Sequence, residues 1–136
     1  MARSVLVDAG FLVALLGRRD AHHAWAVAQV PQSAPPWNSC EPVVSEAFHL
    51  LGAGGLSALS ELLRRRKLII DFKLDQNLER VLALMQKYAD VPMSLADACL
   101  VRMTETYAYP LLLTTDTDFH IYRRHSRQVV PCVLPR

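Results

Sequence analysis

The chain has 136 residues, of which 51% are hydrophobic and 21% charged, and its formal net charge is +2. That length holds one ordinary core rather than two, and the excess of apolar over charged residues excludes a disordered chain. A nearly neutral charge names no nucleic-acid partner by itself, and Arg, Asp or Pro interrupts every apolar stretch before it could span a bilayer.

Residues 3–7 read as a short strand whose apolar run Val5-Leu6-Val7 ends at Asp8. A helix is predicted through Phe11 to Leu16, stopping at Gly17. Asp20 is predicted to cap a second helix over 21–29, with Trp25 and Ala28 on one face. The Pro-rich segment 31–36 reads as a loop, and Trp37 as part of a brief extended piece. Ser39 and Cys40 open a helix that tolerates Pro42 in its first turn and carries Val43, Ala47, Leu50 and Leu51 at core spacing. A basic-ended helix over 56–66 precedes a buried strand, Leu68 to Ile70. Asp75 is predicted to cap a helix reaching Tyr88, and Ser94 to begin another ending near Tyr107. Leu111 to Leu113 form a strand, a short helix follows Asp116, and Val129 to Val133 close the chain as a last strand.

Apolar strands alternating with helices predict an α/β fold with a mainly parallel sheet covered on both faces, in one domain over residues 1–136. No repeat or linker divides the chain. Cys40, Cys99 and Cys132 are odd in number, far apart and without a Cys-x-x-Cys pair. They read as small apolar residues in a reducing compartment, neither a disulfide framework nor a zinc site. The first eight residues are too short and too soon charged for a signal peptide, so a cytoplasmic location is expected. Positive charge gathers at Arg18-Arg19, at Arg64-Arg65-Arg66-Lys67, and at Arg123-Arg124 with Arg127.

Open parallel sheets place their sites outside the carboxyl ends of the strands. Two apolar strands lead straight to acids there: Val5-Leu6-Val7 to Asp8, and Leu111-Leu112-Leu113 to Thr114-Thr115-Asp116. Two further acids sit near helix starts, Glu46 beside the stripe of Val43 and Leu50, and Asp97 one turn before Leu100 and Val101. Carboxylates on apolar faces are costly to bury and repel one another unless a cation intervenes. Hard oxygen donors, without a His or Cys cluster, suit Mg2+ or Mn2+ rather than zinc. Each acid also has a plain alternative. Asp8 and Asp116 could cap the helices that follow them, Ser94 and Asp97 fit a capping box, and Glu46 could pair with an arginine.

The joint order of these segments resembles the PIN-domain nucleases, in particular the toxin ribonucleases of VapBC toxin–antitoxin pairs. Residues 5–16, from Val5-Leu-Val-Asp8-Ala-Gly10 onward, are similar to that family's opening strand, first acid and first helix. Val44-Ser-Glu46-Ala-Phe-His-Leu-Leu51 resembles its second acid, Leu95-Ala-Asp97-Ala-Cys-Leu-Val101 its third, and Leu113-Thr-Thr-Asp116-Thr-Asp118-Phe119 its fourth. Many members carry a hydroxyl or amide residue after the first acid, where this chain has Ala9. The last segment offers both Asp116 and Asp118, and Asp116 is favoured because it follows directly off the strand.

The resemblance implies a three-layer α/β/α fold and hydrolysis of RNA phosphodiester bonds with Mg2+, Mn2+ substituting. Asp8, Asp97 and Asp116 are its expected ligands, directly or through water, and Glu46 either joins them or takes a proton from the attacking water. Asp118 and Thr115 are expected to support the site. His120, Tyr122, Arg123 and Arg124 are expected to contact RNA, because an acidic centre needs positive charge around it. A small antitoxin protein and a homodimer are the expected partners; the apolar helices around Leu12–Leu16 and Leu56–Leu63 offer contact surfaces, and core packing explains the same residues equally well. Three other readings compete. A haloacid-dehalogenase-type phosphatase wants an acid where Gly10 stands, and a receiver domain wants paired early acids and a late lysine. A non-catalytic PIN scaffold would be expected to have lost some of the four acids.

Overall fold

The computed structural model describes residues 2–136. In chain order it runs β1 (Ser4–Val7), α1 (Ala9–Leu16), α2 (His23–Gln29), β2 (Trp37–Ser39), α3 (Glu41–Leu51), α4 (Leu56–Arg64) and β3 (Leu68–Ile70). The second half runs α5 (Leu78–Lys87), α6 (Leu95–Thr106), β4 (Pro110–Leu113), β5 (Arg123–Arg124), β6 (Gln128–Val129) and β7 (Cys132–Val133). Five strands make one parallel sheet in the order β3-β2-β1-β4-β7, and helices cover it to give the three-layer α/β/α arrangement.

The central strands are apolar along their whole length because they are buried on both faces. Leu6, Val7, Leu112 and Leu113 are completely covered. The β1–β4 register pairs Val7 with Leu113, so the two strands end level and their next residues, Asp8 and Thr114, stand side by side. Ser39, ending β2, donates its hydroxyl to the Val7 carbonyl at 2.9 Å, which holds the third strand end to the same edge.

Helix α1 begins two residues earlier than the apolar pattern suggests. Asp8 is extended and its Oδ1 accepts the Phe11 N–H at 2.9 Å, so capping starts the helix at Ala9. Its Phe11 packs edge-on against Trp25 and Trp37, centroids 5.9 and 5.4 Å away. In α2 the buried residue is Ala26, while Ala28 is exposed. Asp20 does not cap that helix. Its carboxylate takes the His22 N–H at 2.9 Å in a turn, and the helix starts later, at His23. Asp75 likewise lies inside a 3₁₀ turn over Leu74–Asn77, and α5 begins after it.

Helix α3 takes Pro42 in its first turn and ends where Gly52 turns to φ 65°, its N–H returning to the Phe48 carbonyl at 3.0 Å. Helices α5 and α6 are clamped by Glu105, whose side chain is 2% exposed and accepts from Arg80 Nη2 at 2.6 Å and Nε at 2.9 Å. The expected closing strand is split in two. Pro131 has no N–H to give a ladder, so Gln128–Val129 pair antiparallel with β5 while Cys132–Val133 join β4. Cys40 and Cys99 are buried and Cys132 half-buried, all as free thiols. Among the described residues no helix is long and apolar enough to cross a membrane.

Candidate active site

Beyond the carboxyl edge of the sheet lies a cleft of about 170 Å³. Asp8, Glu46, Asp97 and Asp116 all line it, each delivered by a different element. Asp118 is not on its wall. Its backbone N–H donates to Asp116 Oδ1 at 2.8 Å and so begins the 3₁₀ turn that Asp116 caps. Asp8 and Asp116 therefore cap helices and face the cleft at once, and the two readings of each do not exclude one another.

Asp8 is the most enclosed of the four, at 8% exposure. Besides the Phe11 N–H, its carboxylate accepts the hydroxyl of buried Thr114 through Oδ2. Thr114 Oγ1 in turn accepts the Asp116 N–H at 3.0 Å, so one hydroxyl ties two acids together. The Asp8 carboxyl is pushed up to about 6 from 3.8, first by burial and then by the charges of Asp97 and Asp116, against the pull of its two hydrogen bonds. Asp97 is also raised, by burial first, with the charges of Asp116 and Asp118 adding and the Tyr122 and Ser94 hydroxyls opposing. Among the described residues none of the four cleft acids has an ion-pair partner. Negative charge is thus concentrated without compensation from the protein.

The cleft walls explain two small residues. Gly10 sits so close to Thr115 that a Cβ there would come within 2.1 Å of Oγ1. Ala9 adds no polar group to the wall, whereas Leu50 of α3, expected in the core, is 56% exposed and borders the cleft. Glu46, one turn before it, is exposed.

The donor set fits a hard divalent ion: carboxylate oxygens only, mutually repelling and short of positive charge. Among the described residues, however, no three carboxylate, imidazole or thiol groups stand close enough to hold one ion together. Of the two modes the resemblance leaves open, direct or through water, this spacing suits ligands that reach an ion partly through water. Mg2+ accommodates this, because it retains several waters and is commonly held by one or two carboxylates.

Two of the expected RNA contacts are otherwise engaged. Tyr122 is fully buried between Tyr88 and Phe119, edge-on to both, and its hydroxyl donates to Asp97 Oδ2 at 2.8 Å. Arg124 is 9% exposed, and its Nη2 donates to the Thr104 carbonyl and to that of Tyr107 at 3.2 Å, closing the end of α6. A side chain so enclosed has no face for a phosphate, so the RNA-contact expectation for Tyr122 and Arg124 is withdrawn. Arg123 spends Nη1 on the carbonyls of His120, Ile121 and Tyr122, while His120 itself is exposed. The basic run at the end of α4 is partly paired, Arg64 and Arg65 with Glu61 at 3.2 and 3.1 Å.

Thr114 escaped the sequence reading. The signal available was its place, the first polar residue after three buried leucines and level with Asp8 once β1 and β4 pair. The pairing is a long-range fact, so the chain alone gave Thr114 no role.

Comparison with known proteins gives three results. Curated protein sequences yield no match. Among solved structures, the chain resembles VapC20 of Mycobacterium tuberculosis, a sarcin–ricin-loop-cleaving toxin, with a TM-score of 0.71 at 18% identity, over 80% of this chain and 87% of that one. At that identity the likeness speaks for the fold. The sequence model of the PIN domain matches residues 5–124, a span that takes in the sheet edge and all four cleft acids, and the chain belongs to the PIN-domain family.

Proposed function

We propose that this protein is a Mg2+- or Mn2+-dependent endoribonuclease and the toxin of a toxin–antitoxin pair. One observation carries the reading: four acids from four elements face one cleft, and among the described residues no protein cation pairs with any of them. A protein gains nothing in stability from such a cluster, so a bound cation is its physical reason. Family membership and the fold shared with an RNA-cleaving toxin support the same conclusion.

On this reading Asp8, Asp97 and Asp116 hold the ion, directly or through water. A divalent ion there supplies Lewis acidity and charge neutralisation for in-line attack on phosphorus. Glu46, exposed and lining the cleft, takes the proton from the attacking water. Thr114 keeps Asp8 and the start of the Asp116 turn in fixed relation, and Thr115 packs that turn against Gly10. His120, with the charge of Arg123, is the proposed contact for the RNA backbone. A small antitoxin would cover the cleft, where Leu50 offers an apolar rim. Leu12 and Leu59 belong to the core, so a homodimer contact on those helices would rest on exposed residues such as Leu56. The cytoplasm is the compartment this activity requires.

The test is hydrolysis of structured RNAs by purified protein in Mg2+, Mn2+ or chelator, with Asp97→Asn beside the wild type. Cutting that needs the ion and falls by orders of magnitude in the variant supports the assignment. Equal cutting by both proteins removes it.

A further inference from the structure

Asp97 differs from the other cleft acids in how it is gripped. Its Oδ2 accepts the Tyr122 hydroxyl at 2.8 Å, across 25 residues of chain. Tyr122 cannot swing away. Its ring is completely buried, meeting Tyr88 at 5.1 Å and Phe119 at 5.2 Å between centroids, both edge-on. Close packing of this kind holds a side chain in one rotamer. Neighbouring chain is anchored as well, because the Tyr88 hydroxyl accepts the Arg123 N–H at 3.0 Å. The aromatic group therefore delivers a hydroxyl to one chosen oxygen of a cleft carboxylate.

That arrangement has a consequence for ion choice. Ca2+ takes six to eight oxygens and readily accepts both oxygens of one carboxylate, whereas Mg2+ and Mn2+ favour octahedral sites with single-oxygen ligands. A two-oxygen grip by Asp97 would have to displace or share the proton that Tyr122 donates. Asp8, by contrast, carries a donor on each oxygen, the Phe11 N–H on Oδ1 and the Thr114 hydroxyl on Oδ2. Resting on the metal-nuclease reading above, we propose that Tyr122 is a positioning residue that makes Asp97 a one-oxygen ligand and so favours Mg2+ and Mn2+ over Ca2+ at this site. Its place in the sequence, among His120, Arg123 and Arg124, disguises it as part of a surface for RNA.

The experiment measures dissociation constants of Mn2+ alone, by electron paramagnetic resonance, and of Ca2+ alone, by calorimetry, for the full chain without RNA. Tyr122→Phe removes the hydroxyl and keeps the ring. Tyr88→Phe removes the neighbouring hydroxyl, which does not touch Asp97, and serves as the control. Tyr122→Phe is expected to weaken Mn2+ binding about 10-fold, the scale on which partners of metal ligands act. It is expected to weaken Ca2+ binding less, so that the ratio of the two constants narrows, with Tyr88→Phe leaving the ratio at the wild-type value. If Tyr122→Phe binds both ions as the wild type does, or loses both equally, the positioning role is overturned while the nuclease reading stands. If the wild type binds no Mn2+, the nuclease reading falls and takes this role with it. Near- and far-ultraviolet circular dichroism of each variant establishes that the comparison is made between folded proteins.

Discussion

Thr114 donates its hydroxyl to Asp8 from the neighbouring strand, 106 residues away in sequence, and accepts the Asp116 N–H with the same oxygen. Parallel pairing of β1 and β4 puts the two residues level at the sheet edge. One buried hydroxyl thus links the carboxylate of one cleft acid to the backbone of another.

Thr114→Val keeps the shape and removes the hydroxyl. A buried carboxylate then loses one of two partners, and Asp116 loses an acceptor, at an expected cost of about 1–3 kcal/mol in stability. RNA hydrolysis should fall about 10-fold or more, as for other partners of metal-site residues. Urea unfolding and cleavage rates measure both. A variant as stable and as active as the wild type would show that Thr114 merely fills space.

Asp8 makes the protein's stability depend on pH in an unusual direction. Its carboxyl binds a proton more tightly when folded, at about 6 against 3.8, so the folded state is favoured at low pH. Stability then drains as pH climbs from about 4 to about 6, by about 3 kcal/mol for this one group. Asp8→Asn keeps an oxygen for the Phe11 N–H and carries no charge. In chelator it should be more stable than the wild type at pH 7.5, with the difference vanishing near pH 4, while its cleavage rate drops by orders of magnitude. Denaturant titrations at the two pH values decide this, and a variant that is less stable at pH 7.5 would make Asp8 a cap alone.

Gly10 is required by its neighbour rather than by its backbone angles. Gly10→Ala would drive a Cβ to 2.1 Å from Thr115 Oγ1, so the segment leading to Asp116 must shift. A loss of about 1–3 kcal/mol is expected, the usual cost of overpacking. Adding Thr115→Ala should return much of it, because the clashing hydroxyl is gone. Thermal melts of the two single variants and the double complete the cycle. Additive losses would mean that the two residues do not meet.

Glu105 belongs to the scaffold and provides a contrast. Burial alone would raise its carboxyl, but Arg80, the His125 N–H and Arg102 outweigh that and hold it below the usual carboxylate range. Its contribution is present above the unfolded value and is lost as pH falls through the lower, folded one. Glu105→Gln should cost about 3 kcal/mol at pH 7, since Arg80 would be left half-buried without its counter-charge. That deficit should shrink in acid, and metal binding should be untouched. Unfolding at pH 7 with the stability of the wild type would rule out the clamp.

The sequence by itself was sufficient for the parallel α/β class, the apolar strands and the resemblance to PIN-domain nucleases. Those depend on short-range pattern: runs such as Val5-Leu6-Val7 and Leu111-Leu112-Leu113 have no polar side to show water, and each leads directly to an acid. Where a local signal had two outcomes, neighbours far along the chain chose between them. Asp20 and Asp75 read as caps yet sit in turns, because packing set where α2 and α5 begin. Pro131 breaks the last strand, since its two halves find different partners. Tyr122, Arg123 and Arg124 look like one basic, aromatic surface in sequence, yet the fold sends the tyrosine to Asp97 and Arg124 to the end of α6. Which acids share a cleft and which hydroxyls hold them depend on contacts between residues 25 to 106 positions apart. No local pattern encodes such distances, because they exist only once the sheet has paired and the helices have closed over it.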